Sequence, residues 1–170
     1  MDRREFLINS AALAASAALL PEQMGVWSQP LEYDSPEATS CNMANAMLGR
    51  IHQSGPLPRL KPASLAQVRH GIEIYKHHIR RYIPQFVPFY PLGMPILTRP
   101  DLPAALGMRA GEKQFLAVWR RSGPEGVHIA SRAAGFHLLY PRDLGIVAIQ
   151  DSDGTTVRFP SPNMACILST

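Results

Sequence analysis

The segment from Pro62 to Pro84 constrains the fold more than any other stretch of this sequence. Apolar residues recur there in steps of three and four, which predicts an amphipathic helix that begins near Pro62 and ends at Pro84. Burial of such a stripe contributes about 10 kcal/mol, but only where a partner surface covers it. The chain must therefore cover this helix or expose an apolar patch that promotes association. The stripe consists of Leu65, Val68, Ile72, Tyr75, Ile79 and Ile83.

An earlier helix is predicted after Ser35. Ser35 is a favourable N-cap, Pro36 suits the first helical position, and Glu37 complements the helix dipole. The segment Ser54-Gly55-Pro56 is expected to end this helix. Its apolar face is predicted to carry Cys41, Ala44, Leu48 and Ile51.

The second half of the chain is predicted to be β-structure. A proline-rich connection precedes short apolar segments that are separated by turns, and Asp151 to Gly154 predicts a tight hairpin turn. This pattern is typical of an antiparallel sandwich. We therefore predict an α+β chain with a helical region over residues 21–85, a connection over 86–104 and a β-sandwich over 105–170. The predicted strands lie at 114–120, 127–129, 136–140, 145–150, 155–159 and 165–168.

Residues 1–20 resemble a twin-arginine export signal. Arg3 and Arg4 are followed by Phe6 and Leu7, and an alanine-rich apolar run extends from residue 11 to residue 20. That run is too short to span a bilayer, so it predicts a cleaved signal rather than a stable membrane span. The expected location is periplasmic or secreted. The alternative is an ordinary amphipathic N-terminal helix.

Composition bounds the class of protein. The chain has 170 residues and a net charge of +4, and its basic residues do not form a stripe interleaved with aromatic residues. Nucleic acid is therefore not an expected partner. Cys41 and Cys166 cannot make a disulfide framework; they either pair after export or remain buried thiols, and the thiols are favoured.

Two groups of residues invite a metal-site hypothesis. Asp151 and Asp153 have the spacing of a calcium loop, but that loop requires an acid at the position of Pro162, so a plain turn is favoured. His77 and His78 are adjacent on a helix and point about 100° apart, so a solvated helix end is favoured over a chelating pair. We expect neither a metal nor a cofactor.

A nucleophilic site is a further hypothesis for the β region. His128 and His137 could act as bases, and Ser131 lies close to His128 in the sequence. No Gly-x-Ser-x-Gly motif accompanies them, so a serine triad is not favoured.

The run from Asn45 to Gly55 resembles the segment that closes the catalytic barrel in bacterial α-galactosidases of glycoside hydrolase family 36. Trp27 to Asp34 resembles the lead-in to that segment, and residues 60–79 resemble the long helix after it. Residues 115–121 and 138–141 resemble strands of the family's C-terminal β-domain. These similarities occur in the family's order and together cover residues 27–170.

The resemblance implies retaining hydrolysis of terminal α-galactosides, or of a related α-linked sugar, by two carboxylates and without a metal. In the family the nucleophile lies in a Lys-Trp-Asp-like motif, whereas Trp27 and Trp119 are not followed by Asp here. No catalytic residue can therefore be assigned. The chain is predicted to be a fragment that lacks both catalytic aspartates and is inactive alone.

Polar residues of the resembling run are the candidates for substrate binding. Arg50, His52, Gln53 and Ser54 either line the sugar site or tie a loop to the barrel edge, and the structural role is favoured.

A non-catalytic module that binds sugar or docks on a barrel is the alternative function. Its expected partners are an α-galactoside or another sugar, a separate barrel chain, or a second copy that associates through the exposed helix face. Trp119 and Tyr140 on one concave face would favour sugar stacking, whereas a dry apolar face would favour docking. A degraded gene, in which a signal has been fused to the tail of the enzyme, is a third possibility.

Overall fold

The computed structural model describes residues 20–96, 98–131 and 135–170, and it begins with a parallel β-α-β unit. Strand β1 (Gly25–Ser28) leads through helix α1 (Pro36–Met47) to strand β2 (Arg50–Gln53), and the two strands pair in parallel. The hydroxyl of Ser35 accepts the N–H of Ala38 at 3.2 Å, which confirms the predicted N-cap. The two-stranded sheet itself was not predicted.

Helix α1 ends at Met47, so the prediction that it continues through Ile51 to Ser54 is wrong. Gly49 approaches β1 so closely that a Cβ would lie 2.8 Å from the carbonyl oxygen of Met24. Directly after it, the N–H of Arg50 donates to the same carbonyl at 2.9 Å. The chain therefore pairs with β1 from Arg50 onward instead of forming another helical turn. Ile51 still packs against the helical core, although it does so from a strand.

Helix α2 (Pro62–Ile74) continues as a π-helical turn (Tyr75–Ile79) and a 3₁₀ turn (Arg80–Gln85), which confirms the predicted extent of this segment. Its buried face is rotated from the predicted stripe, because Ser64 and Gly71 are buried while Leu65 and Ile72 are half-buried. Gly71 lies on this buried face. A Cβ there would lie 2.8 Å from Cε of Met43 and 3.4 Å from the Tyr140 ring, so a larger residue would require the Met43 side chain to move.

Residues from Val87 onward form two antiparallel sheets. The five-stranded sheet has the order β3-β4-β5-β10-β7, and the three-stranded sheet has the order β6-β9-β8. The hairpin turn at Asp151–Gly154 joins β8 to β9, as predicted. The strands are β3 (Val87–Phe89), β4 (Ala104–Ala110), β5 (Lys113–Arg120), β6 (Gly126–Ala130), β7 (His137–Tyr140), β8 (Val147–Gln150), β9 (Gly154–Arg158) and β10 (Met164–Ser169).

The five-stranded sheet is the middle layer of the molecule. Along β5, Phe115 and Trp119 face α1 and α2, whereas Leu116 and Val118 face the three-stranded sheet. Both faces are therefore buried, and β5 is apolar at successive positions rather than at alternate ones. This arrangement of two helices on antiparallel sheets confirms the predicted α+β class.

Buried hydrogen bonds tie the helical layer to this sheet. The indole N–H of Trp119 donates to Oδ1 of Asn45, and the hydroxyl of Tyr140 donates to the carbonyl oxygen of Gln67 at 3.2 Å. The same sheet separates the two cysteines, because Cys41 packs in the helical core and Cys166 in the core between the sheets. They consequently form no disulfide with each other; Cys166 is buried as expected, whereas Cys41 is only half-buried.

Among the described residues, no helix combines the length and the apolar character that a membrane crossing requires.

Candidate functional site

The outward face of the β1–β2 sheet carries two of the residues that the sequence singled out. Alternation along β1 buries Val26 against the helices and turns Trp27 outward, where its side chain is 59% exposed. On β2, Arg50 and His52 also point outward. The rings of Trp27 and His52 lie 6.1 Å apart, and the missing side chain of Gly25 leaves room for the imidazole.

A cleft lies between β2 and the segment that follows α2. Its volume is about 520 Å³. Arg50 and His52 line it from β2, and Glu22 also lines it. Tyr75 and Arg80 line it from the π-helical and 3₁₀ turns. Its apolar lining is supplied by Ile51, Ile83 and Pro84.

The charges around Tyr75 make this cleft cationic. Burial raises the pKa of Tyr75, while a backbone hydrogen bond with Ile51 and the positive charges of Arg80 and Arg50 oppose that rise. The phenol is therefore protonated at neutral pH. Within residues 20–96, 98–131 and 135–170, no salt bridge neutralises either guanidinium, so two positive charges face one carboxylate, that of Glu22.

Gln53 and Ser54 have a different environment from Arg50 and His52. The amide of Gln53 donates to the carbonyl oxygens of Ser28 and Ser54, each at 3.1 Å, and the N–H of Ser54 donates to Ser28 at 2.9 Å. These bonds hold the carboxyl ends of the two strands together. Of the four candidate residues, Arg50 and His52 therefore line the cleft, whereas Gln53 and Ser54 hold the two strands together.

Asp151 and Asp153 lie in the β8–β9 turn, as predicted, but the fold adds His128 to them. Oδ1 of Asp151 accepts the N–H groups of Asp153 and Gly154 at 3.2 and 2.8 Å. Pairing of β6 with β9 brings Nδ1 of His128 to 4.0 Å from Oδ2 of Asp151 and Nε2 to 3.9 Å from Oδ2 of Asp153. The hydrogen bond with Asp153 lowers the pKa of Asp151, with a smaller contribution from His128 in the same direction.

This group offers a histidine nitrogen and two carboxylate oxygens within 4.8 Å of one another, a donor set that could hold a divalent cation. All three side chains are exposed, and the turn is already held by its own hydrogen bonds. The sequence could not show this group, because only the pairing of β6 with β9 places His128 beside the turn.

The remaining candidates lie apart from both places. His77 and His78 are exposed on the π-helical turn, and His137 contacts Nε2 of Gln150 at 3.1 Å. The backbone N–H of Ser131 donates to Asp153 at 2.9 Å. The signal candidates Arg3, Arg4, Phe6 and Leu7 lie outside the described residues.

Trp119 and Tyr140 do not form a concave aromatic surface. Their exposed fractions are 3% and 0%, and both rings lie in the core beneath the helices. The exposed aromatic residue beside polar groups is Trp27 instead, which the sequence had indicated only as part of the lead-in segment.

No protein-family model matches the sequence, and no curated protein matches it. The fold is nevertheless similar to part of an α-galactosidase domain. The solved structure described as "galactosidase domain of alpha-galactosidase-sucrose kinase, AgaSK" is 14% identical to this chain and superposes with a TM-score of 0.65. The similarity covers 97% of this chain and 24% of that one, so this chain spans about a quarter of the matched length.

Proposed function

We propose that this chain is part of an α-galactosidase-type glycoside hydrolase that acts on terminal α-galactosides or a related α-linked sugar. The observation that carries the proposal is the likeness of nearly the whole chain, 97% of it, to part of a galactosidase domain. The resemblance of Asn45 to Gly55 to the barrel-closing segment of family 36 supports the same assignment. In this proposal the chain contributes the β-α-β-α end of a barrel and a β-sandwich.

The catalytic carboxylates are proposed to come from polypeptide outside this sequence. Retaining glycosidases need two carboxyl groups about 5–5.5 Å apart at the sugar. Among the described residues, the cleft beside β2 has a single carboxylate, that of Glu22. The pair Asp151 and Asp153 occupies an exposed hairpin turn instead. We therefore expect no hydrolysis by this chain alone.

The β1–β2 sheet supplies a surface for assembly with the rest of such an enzyme. Parallel strands normally belong to larger sheets whose two faces are both covered. Here helices cover one face, the outer edge of β1 is unpaired in the described structure, and Trp27 is exposed on the other face. We propose a separate barrel chain, or further polypeptide, as the partner; self-association through the half-buried side of α2 is the alternative.

An activity-based label tests this proposal. The native protein is isolated from its source and treated with an α-galactoside-shaped epoxide that alkylates the nucleophilic carboxylate of retaining enzymes. Mass spectrometry then locates the label. We expect the label on polypeptide outside residues 1–170 that co-purifies with this chain. A label on a carboxylate within residues 1–170, or an assembly that neither reacts nor hydrolyses an aryl α-galactoside, would contradict the proposal.

A sugar-binding module is the second candidate, and the exposed Trp27 beside His52 and Arg50 favours it, because aromatic faces stack on sugar rings. Galactose should then raise the unfolding temperature of the wild type, and Trp27→Ala should abolish that rise. Tyr33→Ala is the matched control, since Tyr33 is 72% exposed and does not belong to this face. An equal galactose effect in the wild type and Trp27→Ala would exclude Trp27 as the contact.

Export is a separate proposal that rests on Arg3, Arg4, Phe6 and Leu7. We propose a periplasmic or secreted location reached by the twin-arginine route. Cell fractionation should find the wild-type protein outside the cytoplasm and the Arg3→Lys, Arg4→Lys double variant retained inside. Equal export of both proteins would contradict this assignment.

A further inference from the structure

We propose that the cleft beside β2 binds a small molecule that carries one oxyanion, a phosphate or carboxylate group, through Arg50 and Arg80. The inference goes beyond the proposed glycosidase function, because the cleft is built entirely from this chain. It rests on where the cations lie, on a neutral donor between them, and on the shape of the cleft.

Two guanidinium groups enter the cleft from different elements. Arg50 lies at the start of β2 and Arg80 at the start of the 3₁₀ turn after α2, and neither has a salt bridge within the described part of the chain. Guanidinium groups bind carboxylate and phosphate oxygens through paired, charge-assisted hydrogen bonds. Two of them at one concave place therefore favour an anion over a neutral ligand.

Tyr75 supplies an additional donor to the same place. Burial raises the pKa of its phenol, so the O–H proton is retained at neutral pH and can be donated to an anion. The backbone of Ile51 lies close enough to the phenol to oppose the rise in its pKa, so the hydroxyl lies beside β2.

The size and remaining lining of the cleft limit the ligand. A volume of about 520 Å³ falls in the range of small-molecule sites. Ile83 and Pro84 offer an apolar wall for an organic body, and His52 adds a ring nitrogen. The carboxylate of Glu22 repels a second anionic group but accepts a hydroxyl. The ligand class is therefore a compact organic monoanion or phosphate ester rather than a polyanion.

Calorimetric titration of the full chain at constant ionic strength tests this assignment. The probes are inorganic phosphate, phenyl phosphate and benzoate, with galactose as the neutral comparison. We expect Arg50→Gln and Arg80→Gln each to weaken phenyl phosphate binding about tenfold or more, since each removes a charge-assisted bond. Tyr75→Phe keeps the ring and should weaken binding by about fivefold. Arg69→Gln is the matched control, because Arg69 is exposed on α2 and does not line the cleft.

The outcomes separate clearly. Binding of phosphates and benzoate supports a general oxyanion site, and binding of phosphates alone supports a phosphate-ester site. Absence of binding for every anionic probe, retention of binding in the Arg50→Gln, Arg80→Gln double variant, or an equal loss in Arg69→Gln would overturn the proposal. The glycosidase proposal is tested by the carboxylate label instead, so either proposal can fail without the other.

Discussion

The hydrogen bond between Trp119 and Asn45 allows a quantitative test of whether the helical layer and the sandwich unfold together. The side chains are 3% and 6% exposed, so in Asn45→Ala the indole N–H stays buried without that acceptor. Leaving a buried donor unpaired costs about 2 kcal/mol. For a domain of this size that corresponds to about 4–8 °C in the midpoint of heat unfolding. We expect calorimetry to show one transition that moves down by this amount.

A double-mutant cycle with Trp119→Phe isolates the bond. Because the phenylalanine variant has no indole N–H, Asn45→Ala should cost less in that background, and the difference is the coupling energy. Glu73→Ala, on the exposed side of α2, serves as the surface control and should shift the midpoint little. Two transitions of which Asn45→Ala moves only one, or a coupling energy near zero, would refute the idea of one cooperative unit.

Three further predictions concern single side chains. Burial raises the pKa of Tyr140, so its contribution to the free energy of unfolding should be fully present below about pH 10 and fall above it, because the phenol of the unfolded chain ionises first. Urea unfolding from pH 7 to 11 should show a smaller fall in Tyr140→Phe than in the wild type. Gly154→Ala should cost about 2 kcal/mol more than Gly126→Ala in the same assay, because a Cβ would lie 2.2 Å from the Ile129 carbonyl oxygen at Gly154 but 3.6 Å from Thr156 at Gly126. The lowered pKa of Asp151 means that its stabilising contribution is present above about pH 4 and lost as pH falls further. His128→Gln, which removes a nearby positive charge, should raise that pKa in an NMR titration, whereas an unchanged value would contradict the contribution assigned to His128.

The sandwich strands could be predicted from the sequence because turns separate them. The segment Asp151–Gly154, for example, forms the turn of the β8–β9 hairpin that its composition indicates. The strands β1 and β2 could not be predicted in the same way. Each has only four residues, and Ile51 also continues the helical spacing of Leu48. The strand is selected by pairing with β1, a long-range contact that begins with the bond from Arg50 to the Met24 carbonyl.

The sequence indicated only some of the residues that line the cleft beside β2. Arg50 and His52 were singled out by the resemblance of their segment, but Tyr75 had been assigned to the apolar stripe and Arg80 was not singled out. The assignment of Tyr75 follows from helical periodicity alone. The helix packs with Gly71 on its buried face, and Tyr75 is half-buried beside β2. A glycine in the middle of a helix was the available signal of a close approach.

The helical layer is anchored on the sandwich. Its core is shared with β4, β5 and β10, and the bonds from Trp119 and Tyr140 cross the same boundary. The outward face of β1 and β2 is therefore not needed to hold the helices in place. This freedom explains how Arg50 and His52 can remain exposed without an obvious structural role. Because the side chains on the outward face of β1 and β2 are not needed for folding, this face is a place where binding is expected. The cationic cleft beside β2 lies at the border of this face.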